Sequence, residues 1–123
     1  MIKSYKDLTV WQKSMDLVVD VYAFTNSYPQ TEVYGLTSQM RRAAVSIPSN
    51  VAEGFGRGTS GDFARFLSIA SGSVTELETQ ILVSQRLGYL QDDVTVPVVS
   101  LCDEVGKMLR ALRKTVTTDA NQM

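Results

Sequence analysis

The sequence predicts an all-α protein, an antiparallel up-down-up-down four-helix bundle whose second helix is kinked at Pro48. Three observations predict it. Four segments repeat their apolar residues at three- and four-residue spacing, as one face of a helix does. The stretches between them are short and hold proline, glycine or acidic residues. No stretch alternates apolar and polar residues as a half-buried strand would. With 123 residues, 44% of them hydrophobic, the chain can fill one core without a disulfide or metal staple. The expected domain spans residues 1–118, followed by a frayed polar tail over 119–123.

Asp7 or Thr9 can cap the first helix, and Thr9 with Gln12 has capping-box spacing. Trp11, Met15, Val18, Tyr22 and Thr25 then mark its expected core face, beside a second apolar stripe of Leu17, Val21, Phe24 and Tyr28. Pro29 ends the segment. The second helix begins near Leu36 and turns Leu36, Met40, Ala43, Ile47 and Val51 inward. Pro48 lies within it and removes one backbone hydrogen bond, hence the expected kink. Gly54, Gly56, Gly58 and Gly61 are read as the break that follows.

Thr59 or Ser60 caps the third helix, whose seam of Phe63, Leu67, Ala70, Val74, Leu77, Ile81 and Ser84 keeps strict 4,3 spacing. Gly88 sits where a helix-ending glycine belongs. Asp92 and Asp93 open the fourth helix, with Pro97 read as part of its first turn. Val98, Leu101, Val105, Met108 and Leu112 are its expected core stripe.

Composition excludes much chemistry. The chain has no histidine, so Ser-His-Asp and Cys-His catalysis are impossible, and the commonest metal ligand is missing. Its one cysteine, Cys102, lies beside a core stripe and reads as a small buried hydrophobe. No catalytic residue, cofactor, metal site or small-molecule substrate is expected. Apolar runs fall short of the roughly 18 residues a membrane span needs, because Asp16 and Asp20 interrupt the longest. Met1 to Asp7 has no apolar signal core, and one cysteine suits a reducing compartment, so the expected location is cytoplasmic.

Residues 56–61 match G-x-G-x-x-G ahead of a helix, with Glu76 about twenty residues on. A dinucleotide site also needs a strand before the loop, whereas the preceding segment here reads as a helix. The match is therefore read as a hinge. Beside the seam of the third helix runs a stripe of Phe66, Ile69, Ser73, Glu76, Gln80, Val83 and Leu87, apolar at its ends and polar in its middle. Apolar flanks around a polar centre suit an interface that must fix its register. Asn50, Glu53, Ser73, Glu76 and Gln80 are the candidate interface residues. The net charge is −1 and evenly spread, so any contact with phosphates must be local or assembled from several subunits. Arg41, Arg42, Arg57 and Arg65 are the candidates for it, as a belt repeated around a ring.

Tyr5-Lys6-Asp7-Leu8 with Trp11, the run Tyr34 to Ala44, and above all the block Val45-Ser46-Ile47-Pro48-Ser49-Asn50-Val51-Ala52-Glu53-Gly54-Phe55-Gly56-Arg57 resemble the 23S ribosomal RNA intervening-sequence proteins. Phe66-Leu67, Ala70 to Glu78 and Leu87 to Leu90 extend the resemblance over roughly residues 5–115. It implies a four-helix bundle assembled into a homopentameric ring, a bacterial source and no established activity. A related branch, the accessory variability proteins of diversity-generating retroelements, binds a reverse transcriptase and nucleic acid through a basic surface. This chain, with a pI near 5.3, departs from that branch. The expected function is a homo-oligomeric scaffold binding a protein or an RNA through its ring surface. The alternative is a nucleic-acid-binding protein that uses the arginine belt.

Overall fold

The Ser4 hydroxyl accepts the Lys6 amide at 3.1 Å, while the Asp7 carboxylate takes the amides of Lys3 and Ser4. This capping box holds a single 3₁₀ turn, Tyr5–Asp7. The computed structural model of the chain describes the backbone of residues 2–122 and the side chains of residues 2–118. Four helices follow the turn: α1 (Thr9–Thr25), α2 (Leu36–Gly56), α3 (Ser60–Arg86) and α4 (Asp92–Gln122), with a second short 3₁₀ turn at Gln30–Glu32. Because Asp7 serves the first turn, Leu8 is the N-cap of α1 and makes no side-chain bond. The expected cap at Asp7 or Thr9 is corrected accordingly.

α1, α2, α3 and α4 form a ring of four, each helix packing on its two neighbours around one core. Ends pair in opposite senses. Arg41 near the start of α2 binds Thr25 at the end of α1, and Phe55 near the end of α2 meets Phe63 near the start of α3. Arg113 late in α4 bonds Ser68 early in α3, while Gln85 late in α3 bonds Asp92 at the start of α4. The bundle is antiparallel throughout.

The core shows which apolar stripes the bundle uses. On α3 the expected seam holds from Leu67 to Ser84, every member buried, with Phe63 only half-buried and Phe66 buried against α2. On α1 the expectation is a rotation off. Val10, Ser14, Leu17, Val21 and Thr25 are buried, whereas Met15 and Tyr22 of the expected core face stand exposed and Trp11 and Val18 are half-buried. An apolar arc wider than one neighbour-facing stripe leaves part of itself outside, and here that part turns toward the outer side of α2.

α2 runs unbroken through the buried Pro48 as far as Gly56, so Gly54 and Gly56 do not break it. Gly54 marks a close approach: a Cβ placed there would lie 2.6 Å from Cβ of Phe66. The turn to α3 is only three residues, Arg57–Thr59, with Gly58 at φ +84, a left-handed conformation that glycine adopts without strain. Thr59 then caps α3 by accepting the Asp62 amide at 3.2 Å. The stretch expected to act as a hinge is thus a three-residue turn between two helices, with Gly61 already inside α3. Gly88, at φ +82, follows the end of α3 as expected.

On α4 the acidic first turn is where it was expected, but the helix starts at Asp92 and Pro97 lies beyond that turn. Among the described residues of α4, Thr95, Val98, Cys102, Val105, Gly106, Leu109 and Val116 are buried, while Leu101, Met108 and Leu112 are half-buried, the last two beside Leu8 and Val10. The backbone stays helical to Gln122. The frayed tail expected over 119–123 falls on residues whose side chains lie outside the described residues.

Candidate interaction interfaces

Three side chains tie α2 to α3 at mid-height. Ser46 and Ser73 share a hydrogen bond of 2.8 Å between their hydroxyls, and Asn50 Nδ2 donates to the Ser46 carbonyl at 2.7 Å and to its hydroxyl at 2.9 Å. Beside them, Gln39, Arg42, Ala43 and Glu76 complete a polar cleft of about 300 Å³. Asn50, Ser73 and Glu76 therefore gather on one outer face as the sequence suggested. Asn50 and Ser73 already have partners within the chain, which leaves Glu76 and Arg42 as the exposed charges of the cleft. Glu53 pairs with Arg57 one turn on at 3.0 Å. Gln80 is buried rather than exposed, and its Oε1 has no hydrogen-bond partner. Apolar Ile69, Val83 and Leu87 stand exposed above and below this polar centre.

The four arginines do not form one patch. Arg41 lies over the Tyr22 ring at 4.5 Å, and its guanidinium donates to Thr25 Oγ1 at 3.0 Å and Asn26 Oδ1 at 3.1 Å. It is occupied in clamping the end of α1 to α2. Arg57 and Arg65 lie some 24 Å along α2 from there, by the ~1.5 Å rise per residue. They flank the Phe66 ring at 5.1 and 4.5 Å. Each also sits near a carboxylate of its own helix or turn, Glu53 and Asp62 respectively. Nothing in the sequence marks Arg41 as a partner of residues sixteen positions away. Ser46 is likewise read there only as a small residue.

The apolar residues left outside the α1 core meet α2. Tyr5, Trp11, Met15, Val18, Val45, Pro48 and Ala52 line a groove of about 300 Å³. Val45 continues it into a wider hollow of about 550 Å³ with Tyr22, Val33, Ser38 and Arg41. Met15, Tyr22, Val33 and Val45 are each 39–42% exposed, an apolar strip running most of the length of α1.

A family model described as 23S rRNA-intervening sequence protein matches residues 6–111, which takes in α1, α2, α3 and the first twenty residues of α4. The chain belongs to that family. A crystal structure of a protein of unknown function from the S23 ribosomal protein family of Bacteroides thetaiotaomicron VPI-5482 has a similar fold. Its TM-score is 0.77 at 23% identity, over 85% of this chain and 95% of that one. No curated protein matches the chain.

The block that marks the intervening-sequence family acquires a physical reading here. Ser46 and Asn50 build the tie to α3, Ile47 and Val51 fill the core, Pro48 faces the α1 groove, and Gly54 admits Phe66. Each turn of α2 thus serves a different neighbour.

Cys102 offers no chemistry in this family member. It is fully buried, and burial, with the nearby Glu78 and Asp103 carboxylates adding to it, pushes the thiol up to about 12. The nucleophilic thiolate is therefore scarce at neutral pH. Iodoacetamide should leave Cys102 unmodified in the native protein and alkylate it fully in urea, read by intact mass. Rapid native labelling would contradict the burial. Among the described residues no three acidic or thiol groups gather to hold a metal ion.

Proposed function

We propose that the protein is a non-enzymatic scaffold, the subunit of a closed homo-oligomeric ring, five-membered by analogy with the family. One observation supports this reading above the others: two different outer faces of the bundle expose apolar surface, and they are adjacent. The α1–α2 face is an apolar groove, and the α2–α3 face is a polar centre with apolar ends. Unlike faces that fit one another make a heterologous contact, which closes into a ring when the rotation between them allows. Adjacent faces of a four-helix bundle stand about a right angle apart, which closes about four or five copies and not two. α2, shared by both faces, would then line the ring axis, and α4 would face outward.

In this reading the exposed Ile69, Val83 and Leu87 form the ridge that enters a neighbour's groove, Asn50, Glu53, Ser73 and Glu76 make its polar centre, and Gln80, buried beneath, takes no part in the contact. Arg42 and Glu76 offer the exposed charges that fix its register, while Asn50 and Ser73 keep the ridge rigid from within. Light scattering on the eluting protein should give about five times the 13.6 kDa chain mass. A mass of one chain at micromolar concentration would sink the proposal.

An RNA-binding role has less support. Of the four candidate arginines, one clamps α1 and two share an aromatic ring and neighbouring carboxylates, so only Arg42 has no partner among the described residues.

A further inference from the structure

The face between α1 and α4 belongs to neither of the ring contacts proposed above. It is the least tightly packed seam of the bundle. At one end Ala23 and Phe24 of α1 and Val94, Pro97 and Val98 of α4 floor an apolar groove of about 420 Å³. At the other end Leu8, Val10, Met108 and Leu112 line a smaller apolar hollow. From Pro97 to Met108 is eleven residues of helix, about 16 Å or three turns.

The rim of this seam is acidic. Asp20 and Asp93 border the groove itself, and Asp16 stands one helical turn from Asp20. Among the described residues none of the three has a cation within salt-bridge distance. The nearest lysine, Lys13, is held by Glu104 of α4 at 2.8 Å. Partial burial, and then the charge of Asp16, raise the Asp20 carboxyl above its ordinary value.

We propose that the α1–α4 face docks a basic amphipathic helix of a partner protein, its apolar side chains over Phe24, Val94 and Pro97 and its lysines or arginines against Asp16, Asp20 and Asp93. An apolar floor alone would accept many occupants. The three unpaired carboxylates select among them, because they attract a cationic helix and repel nucleic acid and anionic membranes. An apolar hollow lies at each end of the seam, about three helical turns apart with the Lys13–Glu104 pair between them, so a docked helix would set one apolar cluster in each hollow. In the ring the face would point outward on every subunit, so a multivalent partner could bind several sites at once. The docking concerns one subunit and stands or falls apart from the ring.

Fluorescence anisotropy of a labelled 18-residue Leu/Lys amphipathic peptide tests it, with a Leu/Glu peptide of the same pattern as the counterpart. The Leu/Lys peptide should bind, and Asp20→Lys with Asp93→Lys should weaken it about tenfold or more and create binding to the Leu/Glu peptide. Asp62→Lys with Asp103→Lys, on other faces, should leave the affinity within about twofold of the parent, the range of a distant rim charge. Equal loss in both double variants, or no binding by the parent, overturns the proposal. So does a change of oligomeric mass in the Asp20/Asp93 variant, which would make the face a subunit contact. Circular dichroism of each variant excludes misfolding, and all four aspartates carry side chains that reach solvent.

Discussion

Gly54→Ala should destabilise the protein by about 1–2 kcal/mol, while Gly72→Ala, the same substitution one helix later, should stabilise it by up to about 1 kcal/mol. Both glycines lie inside helices, where alanine is the better residue because it loses less backbone entropy on folding. At Gly72 nothing lies within 4 Å of the added Cβ, so that preference acts alone. At Gly54 the Cβ would fall 2.6 Å from Phe66 Cβ and 3.2 Å from the Phe63 ring. A side-chain tip could swing aside, but Cβ moves only with its backbone. α2 and α3 must separate, or Phe66 must leave its place between Arg57 and Arg65. Overpacking of this kind costs about 1–3 kcal/mol, which outweighs the helix preference. Urea melts at one fixed protein concentration measure the two changes, since the stability of an oligomer depends on concentration. Equal signs at the two sites would mean that α2 and α3 are not in contact at Gly54.

The same glycine shows where sequence reasoning stops. A glycine in an apolar, helix-patterned segment has two meanings, a break in the helix or a close approach to another one. Local spacing cannot separate them, because the deciding atom, Phe66 Cβ, belongs to the next helix. α3 was legible because its seam from Leu67 to Ser84 is unbroken, whereas the stripe beside it turns polar at Ser73, Glu76 and Gln80, so only one rotation buries an apolar face along its whole length. α1 was ambiguous because its apolar arc spans two stripes, and the stripe chosen as core, Met15 and Tyr22 included, is largely the one left outside. That exposure is itself informative, since an apolar strip that a bundle leaves uncovered marks a surface for another molecule. The polar middle of the α3 stripe was legible as an anomaly, yet its use within the chain was not. The Ser46–Ser73 bond joins residues 27 positions apart, and serine is otherwise unremarked among small helical residues. The arginines were grouped by closeness in sequence to the glycine turn, whereas the length of α2 places Arg41 and Arg57 near opposite ends of the bundle.

Val45→Arg should reduce the assembly to single chains of 13.6 kDa without loss of helix. Val45 is 39% exposed and joins the two hollows of the α1–α2 face, so an arginine there has room in the free subunit but none in a filled groove. Burying its charge without a partner costs several kcal/mol, and each 1.4 kcal/mol weakens an interface about tenfold. Ile69→Arg should have the same effect from the other side, because Ile69 is an exposed apolar residue of the α2–α3 ridge. The two variants then distinguish kinds of assembly. If groove meets ridge, each variant keeps one sound face of opposite kind, and an equimolar mixture should form heterodimers and stop there. The remaining groove and ridge of that pair both hold arginine, so no third chain can add. If instead each face met its own copy about a twofold axis, either variant alone would retain one sound self-complementary contact and appear as a dimer before mixing. Light scattering on the separate and mixed variants reads the difference directly. Dimers in the separate samples would replace the ring with a twofold assembly, and unchanged wild-type mass in both would remove these faces from the interface.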